Sequence, residues 1–250
     1  MIKSLLALTT SAGMLQFLRD AVATLEDSLE ILVIDDASPR DAGIAEFCEE
    51  KGVLFVGKEK AMGLTHSWNL AYSFMARRGY ENCILCNDDV RFPTGFSIDL
   101  LRGLEKFAVV CPISNLPTRN EQMFRPQWAK RYHDLPMSPR RKNRNLVQAT
   151  LAHKYRKKPF REVTTFNGFC FAFSRAIEKY MYSGAHLFNP ALINTKNEFD
   201  LGRRIKKRGG RMAVCKTSYV WHWKAATLSR MPKKDWLWSD VPYFKEQPNL

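Results

Sequence analysis

The chain reads as an α/β protein built on a mostly parallel central sheet with helices on both faces, and three observations carry that reading. Short apolar runs of strand length, near residues 4–10, 29–34, 53–56 and 83–86, alternate with longer segments whose apolar residues recur at helical spacing. Several runs are apolar at successive positions, as in strands buried on both faces, rather than alternating with polar residues. The runs also end abruptly in polar residues: Thr9-Thr10-Ser11, Asp35-Asp36 and Asn87-Asp88-Asp89. Open α/β sheets place their ligands just beyond such carboxyl ends.

Residues 4–10 make the first strand. The amino terminus has one Lys and a short apolar run, but Thr9, Thr10 and Ser11 break the run at once, so a strand fits better than a signal peptide. A helix follows over 12–26, with Met14, Leu15, Leu18, Val22 and Leu25 near helical spacing. The second strand, 29–34, leads into Asp35-Asp36-Ala37-Ser38-Pro39. Helix 42–51, strand 53–56 and helix 65–78 come next, and the fourth strand, 83–86, delivers Asn87, Asp88 and Asp89. Adjacent carboxylates repel each other unless a cation sits between them and a partner. Taken alone, the pair fits a solvated turn before Pro93 equally well.

The regular pattern breaks around 109–112. Residues 114–161 carry Pro117, Pro126, Pro136, Pro139 and Pro159 among dense Lys and Arg, a composition of loops and solvated helices, with 137–145 the least ordered part. Order returns over 163–174, where Gly168 lets backbone approach a ligand. A short helix at 176–182, a helix over 198–207 stopped by Gly209-Gly210, a strand at 211–215 and a last strand ending at His222 complete the core. The Trp-, Lys- and Pro-rich residues 231–250 suggest no clear element, and there are no internal repeats.

With 250 residues, 45% hydrophobic and 26% charged, the composition is that of a soluble globular protein, and no apolar run approaches bilayer length. The six cysteines lack the spacing of a disulfide framework, and the C-x-x-C of Cys83 and Cys86 has no second Cys/His pair to complete a zinc site. Free thiols and a cytoplasmic setting are expected, with peripheral attachment to a membrane as a further option. The net charge of +14 implies attraction to something acidic: nucleotide phosphates, an anionic membrane surface or nucleic acid.

Several segments fall into a telling order. They are Ile34-Asp35-Asp36-Ala37-Ser38; Gly63-Leu64 with Trp68-Asn69; Cys86-Asn87-Asp88-Asp89-Val90; Asn197-Glu198-Phe199-Asp200-Leu201 with Arg204 and Gly209; and His222 with Thr227 and Ser229. Together they resemble the GT-A fold glycosyltransferases, most closely the large family 2 of inverting enzymes and its rhamnosyltransferase-like members with an N-x-D motif. The resemblance runs from about residue 3 to 229. It implies one Rossmann-like GT-A domain over 1–228: a nucleotide-sugar-binding half at 1–112, a basic insert at 113–163 and an acceptor and catalytic half at 164–228. Residues 229–250 form a tail.

The resemblance implies a metal-dependent, inverting transfer of sugar from a nucleotide-diphosphate sugar to a hydroxyl on a glycan or lipid-linked saccharide. Asp89 is the implied ligand for Mn²⁺ or Mg²⁺, and His222 the second, its imidazole favouring Mn²⁺. Without the resemblance, His222 between Trp221 and Trp223 reads as a packing residue. Thr9, Ser11 and Asp36 would hold base and ribose, with Asn69, Asn87, Asp88 and Gly168 completing the nucleotide-sugar site. Asp35 is expected to be structural. Glu198 stands where the family has its Asp base, and Asn197 replaces the family's Glu. Asp200 is the alternative base, although a carboxylate in the first helical turn also serves the helix dipole. Trp68 occupies the family's Arg position and cannot pair with a phosphate as Arg would; Arg91 or a residue of the basic insert would take over that role.

Two other classes compete. A dinucleotide-dependent oxidoreductase lacks its G-x-G-x-x-G after the first strand, where Thr9-Thr10-Ser11-Ala12-Gly13 stands. A non-catalytic nucleic-acid-binding protein would use the Lys and Arg interleaved with Trp128, Tyr132, Tyr155 and Phe160, but it leaves Asp89, Glu198 and His222 without a task. The intermediate reading is a transferase acting on nucleic acid, such as a hydroxymethylated DNA base, with the insert gripping phosphates.

Overall fold

The computed structural model describes residues 3–26, 28–115, 122 and 141–223, the side chains of 141–143 excepted. Four strands, β1 (Ser4–Thr10), β2 (Glu30–Asp35), β3 (Leu54–Gly57) and β4 (Asn82–Asn87), lie in the order β3-β2-β1-β4, all parallel. Parallel neighbours need crossovers, here supplied by α1 (Leu15–Thr24), α2 (Ile44–Glu50) and α3 (Leu64–Arg78). The apolar runs of β1, β2 and β4 are buried on both faces as their composition requires, whereas β3 at the end of the sheet is partly exposed. Leu5, Ala7, Leu32, Ile34, Cys83 and Leu85 pack with Trp68, Ala71 and Met75 of α3. Their alternates Leu6, Leu8, Val33, Ile84 and Cys86 pack with Leu18 and Ala21 of α1 and Phe47 of α2.

The second half of the sheet is mixed. β8 (Cys170–Ser174) runs antiparallel beside β4, with Cys170 opposite Cys86. Beyond it lie β6 (Val109–Ser114) and β9 (Met212–His222), parallel to each other. β9 also pairs antiparallel with β7 (Phe160–Val163) along its first half and with β5 (Val90–Arg91) at its end. Three further helices, α4 (Phe96–Arg102), α5 (Arg141–Tyr155) and α6 (Asn197–Lys207), complete the described elements.

The structure departs from the sequence reading at several elements. Where the pattern breaks at 109–112 stands β6, buried throughout. Its Pro112 is accommodated because the register with β9 shifts between Pro112 and Ile113. The expected strands at 211–215 and before His222 are one strand, β9. Residues 141–155, in a stretch expected to hold loops and solvated helices with 137–145 least ordered, form one continuous helix, α5. Its Val147 and Leu151 pack on Val214, Tyr219 and Trp221, a tertiary contact that local composition does not report. Residues 116–121, 123–140 and 224–250, which hold about half of the basic insert, Trp128, Tyr132, Thr227, Ser229 and the tail, lie outside the described residues. All six cysteines are buried free thiols. Among the described residues no helix is long and apolar enough to cross a membrane.

Candidate active site

The register of the sheet gathers the polar strand ends at one edge. Thr10 pairs with Asp35, Asp35 with Gly57, and Thr9 with Asn87. Because β8 is antiparallel, its start meets the end of β4, and the Asn87 N–H donates to the Phe169 carbonyl at 2.9 Å. β9 ends at the same place, setting His222 opposite Val90.

Asp35 and Asp36 have separate tasks. Asp35 accepts hydrogen bonds from the Ser38 N–H at 3.1 Å and hydroxyl at 2.5 Å, while that hydroxyl oxygen accepts from the Gly13 N–H at 2.8 Å. This ties the turns after β1 and β2 together. Asp36 instead accepts from the backbone N–H groups of Met62 and Gly63, both at 2.8 Å, and pairs with Lys58 at 2.5 Å. The buried Lys58 ammonium also donates to Ser67 Oγ at 2.9 Å and the Gly63 carbonyl at 3.3 Å. Burial holds Lys58 below the usual lysine range even with Asp36 opposing. Sequence reasoning missed Lys58, whose one signal is its place just past β3 on the ligand edge.

Three expected ligand-binding residues have structural partners in the fold. The Asn69 carboxamide is bonded both ways to Phe188: its N–H₂ donates to the carbonyl at 3.0 Å and its oxygen accepts from the N–H at 2.9 Å. That pair of hydrogen bonds holds the Asn69 side chain in the core. Gly168 also makes room in the core, since a Cβ there would lie 2.7 Å from Trp68 Cη2. Trp68 itself packs on Phe171 and Phe188, with centroids 5.2 and 5.1 Å away. Arg91, a suggested phosphate ligand, pairs with Asp20 of α1 and lies over the Trp223 ring at 5.5 Å.

The Thr9 hydroxyl donates to the Cys86 carbonyl at 3.4 Å, and Ser11 is half-buried at the turn into α1. Asp88 is buried behind them, its N–H donating to the Thr9 carbonyl at 3.2 Å. Burial pushes its carboxyl up to about 8; the neighbouring Asp89 charge adds to the rise and the Thr10 hydroxyl opposes it. Its Oδ2 has no hydrogen-bond partner among the described residues.

Asp89 and His222 meet across the β5–β9 pairing, with His222 Nε2 3.2 Å from Asp89 Oδ1. The imidazole stacks on Phe169 at 4.7 Å, and Asn115 brackets the His222 backbone with hydrogen bonds of 2.8 and 3.1 Å. Both ring nitrogens are buried; Nδ1 has no hydrogen-bond partner among the described residues, and Nε2 faces the Asp89 carboxylate. A buried imidazole in that condition, against a carboxylate, has the chemistry of a ligand pair. Two ligands of one octahedral cation bound at about 2.1 Å stand roughly 3 Å apart, so the residues fit a divalent ion. Among the described residues no third His, Cys, Asp or Glu joins them.

Glu198 and Asp200 both lie in the first turn of α6 but differ in surroundings. Glu198 is half-buried, its carboxyl carbon 3.5 Å from where a Cβ of Gly168 would stand, which puts it beside the start of β8. Asp200 is buried and paired with Arg204 at 2.9 Å, and Arg204 in turn donates to the carbonyls of Leu187, at 2.9 Å, and Tyr180. Asn197 is buried, and neither end of its carboxamide has a hydrogen-bond partner among the described residues.

No protein-family model and no curated protein matches the chain. Solved structures do. One is GalNAc-T7 with UDP, GalNAc and Mn²⁺, at TM-score 0.61 and 15% identity over 88% of this chain and 44% of that one. The chain has the GT-A fold. Others with this fold are the mannosyltransferase PcManGT from Pyrobaculum calidifontis with GDP-Man and Mn²⁺ (TM-score 0.53, 14% identity, 88% of this chain and 56% of that one) and S. aureus TarS 1-349 (0.54, 14%, 88% and 60%). The chain thus spans about half the length of these GT-A chains. In this GT-A chain the Asn87–Asp89 turn, the start of β8 and the end of β9 all border the carboxyl edge of β1 and β4.

Proposed function

We propose that the chain is a metal-assisted glycosyltransferase that moves a sugar from a nucleotide-diphosphate sugar to a hydroxyl acceptor, with inversion at the anomeric carbon. The Asp89–His222 pair carries the reading: carboxylate and imidazole 3.2 Å apart, buried at the ligand edge. Asp89 and His222 would hold Mn²⁺ or Mg²⁺, which would supply positive charge to stabilise the departing diphosphate. The imidazole favours Mn²⁺, the ion in the GalNAc-T7 and PcManGT complexes.

The remaining roles belong to the chain's own side chains. Thr9, Ser11 and Asn87 border ribose and diphosphate, and Asp88 offers its second oxygen to a ribose hydroxyl. Asp36 acts on the base through the Met62-Gly63 turn that it orders. Gly168 and Asn69 shape the sugar pocket from behind, through Trp68 and Phe188. Glu198 takes the proton from the acceptor hydroxyl as that oxygen attacks the face opposite the leaving group, which inverts the configuration. Asp200, committed to Arg204, holds α6 in place.

A screen of UDP-, GDP- and dTDP-sugars with Mn²⁺ tests the reading. Hydrolysis of one donor, abolished by EDTA, is expected. Failure to bind or hydrolyse any nucleotide sugar would overturn it.

A further inference from the structure

We propose that the end of α5, the turn after it and the middle of β9 form a binding surface for the phosphate backbone of double-stranded nucleic acid. From 141 to 161 the chain has eight Lys and Arg and no Asp or Glu. The fold gathers the last of these cations and adds another from a different element. Lys154 of α5 and Lys216 of β9 approach the same Tyr155 ring, their ammonium nitrogens 5.2 and 4.6 Å from its centroid. The Lys158 N–H donates to the Tyr155 carbonyl at 2.9 Å and the Lys216 N–H to the Pro159 carbonyl at 2.6 Å, so the turn is pinned to the sheet. Arg156, Lys157 and Lys158 are exposed on it.

Among the described residues no carboxylate pairs with Lys154, Arg156, Lys157, Lys158 or Lys216, and Glu162, next along the chain, faces Arg211 at 3.6 Å. Burial, together with the charges of Arg161 and Lys158, holds Lys216 below the usual lysine range. Such mutual repulsion opposes folding and is relieved by a polyanion.

The neighbours of the cluster select the partner. A membrane-binding face pairs its cations with inserting apolar side chains. On α5 the exposed large apolar residue is Leu146, eight residues and about 12 Å of helix away from Lys154. A single-strand site stacks bases on open aromatic faces. Here Tyr155 is covered by the two lysines, and Phe160 packs on Phe107 at 5.6 Å. What remains among the described residues is positive charge on a turn bonded to the sheet, without base readers, which suits the backbone of a duplex.

Binding is measured on the full chain with no donor present, so the result is independent of glycosyl transfer. Fluorescence anisotropy with a duplex of about 20 base pairs, between roughly 50 and 200 mM salt, should show affinity falling steeply as salt rises. The triple change Arg156→Gln, Lys157→Gln, Lys158→Gln should weaken binding and lower the log–log salt slope by about 2–3, near 0.9 for each phosphate no longer neutralised. The charge-keeping triple Arg156→Lys, Lys157→Arg, Lys158→Arg should bind like the parent. Unchanged affinity and slope in the Gln variant, or no duplex binding by the parent, would overturn the proposal. So would tighter binding to single strands, or sedimentation with phosphatidylglycerol-containing vesicles by a chain that ignores duplex.

Discussion

The indole of Trp68 crosses Gly168 so closely that a Cβ there would lie 2.7 Å from Cη2, while the Glu198 carboxyl carbon stands 3.5 Å from the same point. One missing side chain therefore couples a core aromatic to the proposed base. The indole is 1% exposed and wedged against Phe171 and Phe188, so it has little freedom to yield.

Gly168→Ala should consequently destabilise the protein by about 1–3 kcal/mol, the usual cost of overpacking. Thermal melting checks this, and the smaller ring of Trp68→Phe should partly restore the melting temperature of the Ala variant. A Gly168→Ala protein as stable as the parent would mean that the indole moves freely.

Glu198→Gln keeps shape and removes the proton acceptor, so transfer should fall roughly 10²–10⁴-fold with donor affinity nearly unchanged. Asp200→Asn should act mainly on stability, because it removes the buried carboxylate that opposes half-buried Arg204. Breaking a fully buried pair costs about 3–5 kcal/mol, and this one should cost less because Arg204 keeps the carbonyls of Leu187 and Tyr180. Single-turnover rates beside chemical denaturation separate the two effects. A product with retained configuration would exclude Glu198 as an inverting base.

Asp89→Ala should remove Mn²⁺ binding, read by calorimetry without donor, and donor turnover with it. His222→Ala should weaken the same binding, and EDTA should reproduce the loss of turnover in the parent. Full turnover in EDTA removes the ion from the mechanism.

Asp36→Ala should raise the donor KM more than it lowers kcat, since interactions with the base serve ground and transition states alike. It also leaves the Lys58 ammonium buried without its carboxylate. The double change Asp36→Ala, Lys58→Met should therefore be more stable than Asp36→Ala alone. An unchanged KM would place the nucleotide elsewhere.

Asp88 binds a proton in the folded chain, up to about pH 8, that the unfolded chain releases near the ordinary value of 3.8. Its stabilising contribution is thus fully present below pH 3.8 and is lost as pH rises through about 8. In EDTA, Asp88→Asn should match the parent below about pH 3.8 and exceed its melting temperature by a growing margin as pH rises towards about 8. Parallel melting curves across that range would show Asp88 ionised throughout.

Strand runs such as Leu5–Leu8 and Cys83–Cys86, and the polar residues that end them, are legible in sequence because they follow from local hydrophobicity and from polar groups that must leave the core. The same holds for α6, with its acidic first turn and basic last turn. The resemblance of the ordered motifs to GT-A glycosyltransferases, rather than residue type alone, points to Asp89, Glu198 and His222. Only the tertiary structure decided that β8 enters antiparallel between β4 and β6, that α5 is a helix held by Val147 and Leu151, and that β9 passes Pro112 with a register shift. It also decided that Asn69 holds Phe188, that Gly168 makes room for Trp68 and that Lys58 neutralises Asp36. Each of these is a contact between residues distant in sequence or a choice of side-chain partner. Hydrophobic period and turn chemistry are set within a few neighbours along the chain, whereas such partners are chosen by packing and charge compensation when separate segments meet.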